Sequence, residues 1–286
     1  MSKHLLFCLF ALLSLCSCEK PYVGEGEETS DPMGNLRVSI FQLEQTPFSA
    51  LSRTPVADVC TRLNFAVFQL DGTKVKQINQ TSADVNFGTT SFQLEEGDYR
   101  LVVVAHSSNG NPTMTDLTKI QITNAQGYSD TFLYQSQVSV SSEPQALSLT
   151  LNRITALCRF EITDDFPADV KKMRFYYTGG SGAFDATTGF GSVASKQEVK
   201  VDIAAGQKQF DLYSYPYKST ESTIHLTVSA LNAEDTPLIE RSFDVPLTRN
   251  KVSRLSGPFF VGGGSKSTDV SVEVNTTWDG ETYTTY

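Results

Sequence analysis

Leu147-Ser148-Leu149-Thr150-Leu151-Asn152-Arg153-Ile154-Thr155-Ala156-Leu157-Cys158-Arg159-Phe160-Glu161-Ile162 is the stretch on which the fold turns. Leu147, Leu149 and Leu151 alternate with Ser148, Thr150 and Asn152, the period-two pattern of a strand with one apolar face. From Ile154 the apolar set moves to even positions: Ile154, Ala156, Cys158, Phe160 and Ile162. Side chains of a strand alternate strictly, so its apolar set changes face only through a bulge, a break or a change of sheet. The flip at Asn152-Arg153 therefore marks a boundary, with one domain over residues 36–152 and a second over 153–286.

Upstream of the boundary the chain is a series of short strands. Leu36 to Leu43 is β-prone, whereas residues 45–60, with Pro47 and Pro55, have no period and read as a loop. Leu63, Phe65 and Val67 alternate with polar neighbours, and Asp71-Gly72 joins them to Lys74–Asn79, because Asp-Gly tolerates the positive φ of a hairpin turn. Ser91–Leu94 and Tyr99–Ala105 flank a Gly97-Asp98 turn, and the unbroken run Leu101-Val102-Val103-Val104 predicts a strand covered on both faces. His106 to Pro112 reads as a polar loop, and strands follow near Lys119–Thr123 and Thr131–Val140.

Downstream, strands are expected over Val170–Tyr177, Glu198–Ile203, Gln209–Tyr215, Ile224–Ala230, Ile239–Val245, Asn250–Phe260 and Val270–Trp278. Residues Gly179 to Gly191 form the longest loop between them. No helix-period segment competes, so the fold class is all-β, two tandem antiparallel β-sandwiches.

The amino terminus addresses the chain. Lys3 precedes an apolar run, Leu5–Leu13, too short to span a bilayer, which is the layout of an export signal. Its end, Leu15-Cys16-Ser17-Cys18, resembles the bacterial lipoprotein box, with Leu15 and Ser17 in the two places that surround an acylated Cys18; Cys16 would put bulky Leu15 where a small residue is wanted. Residues 1–17 are then a signal peptide, and a diacylglycerol on Cys18 anchors the mature chain to a membrane without spanning it. Residues 18–35, with Glu19, Glu25, Glu27, Glu28 and Asp31 among Gly and Pro, read as an acidic flexible tether.

The full chain carries a net charge of −9, from 23 basic and 32 acidic residues, which gives no support to nucleic acid as a partner. After Cys18, only Cys60 and Cys158 remain; export permits a disulfide, the spacing does not decide it, and Cys158 reads as a small hydrophobe on a strand face. The mature chain has two histidines, His106 and His225, neither spaced with Cys, Asp or Glu as metal ligands are. Gly179-Gly180-Ser181-Gly182 lacks the final glycine and helix of a nucleophile elbow, because Ala183 follows. Asp164-Asp165 reads as turn residues rather than a glycosidase pair. Gly262-Gly263-Gly264 reads as a hinge, and Tyr213, Tyr215 and Tyr217 as strand aromatics before a sugar or protein platform. The expectation is a protein with no enzyme activity, no metal and no cofactor.

Several blocks resemble one family. Arg62-Leu63-Asn64-Phe65-Ala66-Val67-Phe68 with Asp71-Gly72-Thr73-Lys74-Val75-Lys76 is similar to the first domain of FimB-type fimbrial anchor subunits, lipoproteins of the fimbrillin superfamily of Bacteroidetes. Arg174-Phe175-Tyr176-Tyr177-Thr178-Gly179-Gly180 with Phe184–Gly189, Arg249-Asn250 leading to Leu255-Ser256-Gly257, and Val270–Trp278 resemble the same family in the same order. The resemblance implies transthyretin-like Greek-key sandwiches and an outer-membrane, surface-exposed subunit that anchors or assembles a fimbria. It implies fimbrillin-like stalk subunits as partners, joined by donor-strand exchange through Leu36–Leu43 or Val270–Trp278. Arg37 and Arg53 are the candidate sites for the Arg-specific cleavage that frees the first strand in stalk subunits; here cleavage would sever the fold from its lipid. The competing function is a lipid-tethered adhesin or glycan-binding module working through loops such as His106–Pro112 or Gly179–Gly191.

Overall fold

A computed structural model describes residues 34–44, 56–122, 127–261 and 281–285. The first half contributes β1 (Leu36–Glu44), β2 (Arg62–Gln69), β3 (Lys74–Thr81), β4 (Thr89–Phe92), β5 (Gly97–His106), β6 (Ile120–Gln121), β7 (Thr131–Val140) and β8 (Gln145–Arg153), with a single helical turn at Val56–Val59. All but β6 form one sheet in the order β3-β2-β5-β7-β8-β1-β4. Strands β7 and β8 pair only at Phe132↔Arg153 and Leu133↔Asn152. The sheet folds over at that corner, and its two parts enclose a core of Leu36, Val38, Phe65, Leu101, Phe132, Leu149 and their neighbours. At the β2–β3 turn Gly72 takes φ +92° and Asp71 Oδ1 accepts the Thr73 N–H, which is why Asp-Gly stands there.

The second half contributes β9 (Ala156–Ile162), β10 (Lys172–Ser181), β11 (Ala183–Phe184), β12 (Ala194–Asp202), β13 (Gln209–Pro216), β14 (Glu221–Leu231), β15 (Pro237–Thr248), β16 (Val252–Gly257) and β17 (Glu281–Thr285). One layer runs β15-β14-β10-β12 and the other β13-β9-β16-β17, joined by strand pairing where Gly180 and Ser181 meet Pro216 and Tyr215. Phe160 centres the core between them, with Phe175, Phe243 and Phe259 edge-on to it at 5.8, 5.5 and 6.0 Å.

The quoted stretch passes through three cores in turn. Leu149 and Leu151 belong to the first, Ile154 to a separate core between the halves, and Ala156, Cys158, Phe160 and Ile162 to the second. The change of parity is a change of sheet: the chain leaves one at Arg153 and enters the other at Ala156. Strand β5 explains its unbroken apolar run in the same way, with Leu101, Val103 and Ala105 facing the first core and Val102 and Val104 the one between.

The structure corrects several expectations. The sandwiches are mixed rather than antiparallel, since β1 runs parallel to β8 and β16 parallel to both β9 and β17. Apolar alternation is the same for either strand direction, so the sequence pattern cannot distinguish them. His106 is not in a loop; it ends β5, fully buried. Gly179–Gly191 is not a free loop but completes β10, forms β11 and packs between the halves, with Ala183 and Phe184 paired to β6. Cys60 and Cys158 are free thiols in different cores, so no disulfide joins them. Strand β17, Glu281–Thr285, lies beyond the last strand that the sequence pattern predicts. The signal peptide, Cys18, Arg53, Gly262–Gly264 and Val270–Trp278 lie outside the described residues.

Candidate functional site: an inserted strand and a junction cleft

Strand β1 lies inside its sheet, parallel to β8 from Leu36↔Gln145 to Glu44↔Asn152 and antiparallel to β4 from Leu36↔Phe92 to Ser39↔Thr89. Leu36 and Val38 fill the core, and a bulge between Ile40 and Gln42 shifts the phase so that Leu43 is again buried while Phe41 points out. The entry to β1 is locked. The buried Asn35 side chain donates to Leu94 O at 3.0 Å and Ser141 O at 3.1 Å and accepts the Leu94 N–H at 3.0 Å. Its carbonyl accepts the Gln145 N–H. Next to it, a Cβ on Gly34 would stand 2.4 Å from the Phe92 carbonyl oxygen, so only glycine lets the chain pass.

A second site is the junction. Phe68, Val102 and Val104 of the first half meet Phe184, Ala186 and Tyr215 of the second in the core between the halves. The Tyr215 ring lies 5.3 Å from Tyr128 and 5.0 Å from Phe184, and its hydroxyl is 3.2 Å from Thr131 Oγ1. Burial pushes the Tyr215 hydroxyl's pKa well above its ordinary value. At one edge Arg153, with a 5% exposed side chain, donates from Nε and Nη2 to the Asp130 carboxylate at 2.8–3.0 Å. Asp130 also accepts Thr155 Oγ1–H, and Arg153 Nη1 donates to Asn250 Oδ1 at 3.0 Å. Above this clamp opens a cleft of about 730 Å³ walled by both halves.

The other sequence candidates are structural. Arg37 is exposed on β1, but its neighbours in the sheet are Ser91 and Ala146, so its peptide bonds lie within a strand held on both sides and are closed to a protease in this fold. His106 Nδ1 accepts the Ser108 N–H, which leaves Nε2–H to donate to Asn64 Oδ1; burial, with Arg62 nearby, lowers its pKa to about 4. His225 pairs with Asp244 on the solvent face of β14. Asp164 accepts the N–H groups of Phe259, Phe260 and Val261, while Asp165 reaches out to Lys208, so the two do not act as a catalytic pair. Tyr215 is buried, Tyr213 partly so and Tyr217 carries Lys218 over its ring, which leaves no aromatic platform. Among the described residues, no three His, Cys, Asp or Glu side chains gather as a metal site. Sequence reasoning missed the Asn35 lock and Arg249. A lone Asn before a strand carries no signal, although Asn250 beside Arg249 has the positive φ (60°) that asparagine tolerates.

A family model described as a family of unknown function (DUF6562) matches residues 32–286. No protein of curated function matches the chain by sequence. Among solved structures, the fimbrial anchor protein Mfa2 from Porphyromonas gingivalis is similar with TM-score 0.42 and 13% identity, over 72% of this chain and 80% of that one. A fimbrial assembly protein from Parabacteroides distasonis gives 0.39 and 13%, over 78% and 89%. A protein provisionally described as a cell adhesion protein from Bacteroides ovatus gives 0.45 and 14%, over 78% and 90%.

Proposed function

The chain belongs to the DUF6562 family of unknown function, and from that premise we propose that it is a non-enzymatic surface subunit, lipid-anchored at Cys18, that holds a fimbria to the outer membrane by strand pairing with fimbrillin-like stalk subunits. Strand β1 carries this reading. In the sequence Cys18 precedes the Gly34-Asn35 lock, so a pull on the lipid enters the described fold at Asn35, whose side chain ties to the connections after β4 and before β8 through Leu94 and Ser141. Beyond it β1 is paired to β8 and β4 together, and a pull along the strand loads those pairs at once rather than one after another. A strand cut free, as in stalk subunits, would break that path, which favours a subunit that keeps β1. Partner strands then add elsewhere. Among the described residues β17 pairs only with β16 and no described strand lies along its other edge, which makes that edge the place for strand addition, in which main-chain hydrogen bonds supply affinity.

The test is Cys18→Ala in cells that make the fibre. Protein and fibres should move together from the membrane fraction to the medium, with loss of the lipid mass. Fibres that stay cell-bound at normal length would overturn the proposal.

A further inference from the structure

We infer that the junction cleft binds an acidic oligosaccharide, with Arg249 receiving the carboxylate and the surrounding amides and hydroxyls receiving the sugar hydroxyls. This does not depend on the fimbrial role. The chain carries 32 acidic against 23 basic residues, yet the described wall of this cleft holds two arginines and no carboxylate. Arg153 is already neutralised from beneath by Asp130. Arg249 has no carboxylate partner among the described residues: its Nη1 donates to Thr188 O at 3.1 Å and its guanidinium lies 4.3 Å from the Phe190 ring centre. Burial lowers its pKa, the mark of a cation partly stripped of water without a countercharge. An anion there would recover part of that cost.

The rest of the wall suits a sugar rather than a bare ion. The volume, about 730 Å³, falls in the range of small-molecule sites. Asn152, Thr150 and Thr220 offer a carboxamide and two hydroxyls, groups that both donate and accept as sugar hydroxyls do, while Gln135 is held by Arg100 and Thr187 O and Asn250 by Arg153. Leu133 and Ile154 present small apolar edges at the floor, of the kind a pyranose C–H face covers. The site is also preformed. Asp185 Oδ1 accepts the Thr187 N–H and Asp185 O accepts the Gly189 N–H, which fixes the turn. Gly189, at φ +73°, leaves the space for Arg249, since a Cβ there would sit 3.1 Å from Nη1. Asn250 is held by its N–H to Thr155 O and by Arg153. Little ordering would be needed on binding.

The experiment is calorimetric titration of the full chain in detergent with trigalacturonate and sialyllactose, each beside its methyl ester, which keeps the sugar and removes the charge. At least one acid should bind saturably, and its ester about tenfold more weakly, the worth of one charge-assisted hydrogen bond. Arg249→Gln should weaken the acid by a similar factor with thermal unfolding unchanged. Asn152→Asp, at an exposed position of the wall, should do the same by repulsion, and it decides the matter if Arg249→Gln does not fold. No saturable binding of either acid, equal binding of acid and ester, or undiminished binding by the folded variants would overturn the inference.

Discussion

Replacing Asp130 by Ala should be among the most damaging single changes in the molecule. Its carboxylate accepts two guanidinium nitrogens of Arg153 and the Thr155 hydroxyl, at the point where the chain crosses from one sandwich to the other. Arg153 is only 5% exposed and Asp130 16%, so Asp130→Ala leaves a guanidinium that meets water only at the cleft edge without its countercharge. Breaking one side of such a buried pair costs about 3–5 kcal/mol, a large part of the roughly 5–15 kcal/mol that holds an ordinary domain together. Replacing both partners by apolar groups, Asp130→Leu with Arg153→Met, removes the stranded charge and should restore most of the loss. The assay is urea unfolding followed by circular dichroism, with hydrogen exchange at Ile154–Ala156 and Asn250 to locate the damage. A loss below about 1 kcal/mol in Asp130→Ala, or a double variant no better than the single, would refute the assignment of the clamp as a buried, charge-compensated joint.

Other predictions follow from the same geometry. Because the folded pKa of His106, about 4, lies below the ordinary 6.5, its stabilising share is complete above pH 6.5 and fades as pH falls toward 4. Between pH 7.5 and 5 that is about 2 kcal/mol, so His106→Gln should flatten the pH dependence of the urea midpoint by this amount, and parallel profiles would count against it. For Asp164, burial raises the pKa but the N–H groups of Phe259, Val261 and Phe260 outweigh it and hold it below the ordinary 3.8. Its contribution is therefore present above pH 3.8 and lost on further acidification, and Asp164→Ala should cost about 1–3 kcal/mol and speed exchange at Phe259–Val261. Burial pushes the Cys158 thiol up to about 12 and Cys60 higher still, so both should resist iodoacetamide in the folded chain and react together after urea without a reductant. Gly34→Val should destabilise the first sandwich by several kcal/mol, because the added carbon meets backbone rather than a movable side chain. Differential scanning calorimetry would show the shift.

How much was legible differs from strand to strand. Strands β2, β3 and β5 announced themselves through the Asp71-Gly72 and Gly97-Asp98 turns beside an apolar period or run, and β14 through the alternation of Ile224, Leu226, Val228 and Ala230 with polar residues. The double burial of β5 was legible for the same reason. Strand β17, Glu281–Thr285, was not, since Thr and Tyr favour strands but no aliphatic alternation accompanies them. His106 was misplaced because polar neighbours from Ser107 onward hide a side chain that the Asn64 amide satisfies in the interior. The cleft was invisible in advance, as Asn152, Thr188 and Arg249 converge from positions far apart in the chain.

The sequence by itself determined that the chain is β throughout and that its apolar set changes face at Asn152-Arg153, because alternation is a local property of each strand. Only the tertiary structure decided that β1 enters parallel to β8 behind an Asn35 lock, that Gly179–Gly191 packs into the joint, and that Arg249 stands in a cleft whose described wall holds no carboxylate. Strand direction, enclosure and charge compensation are relations between distant segments, and the spacing of residues along one segment holds no record of them.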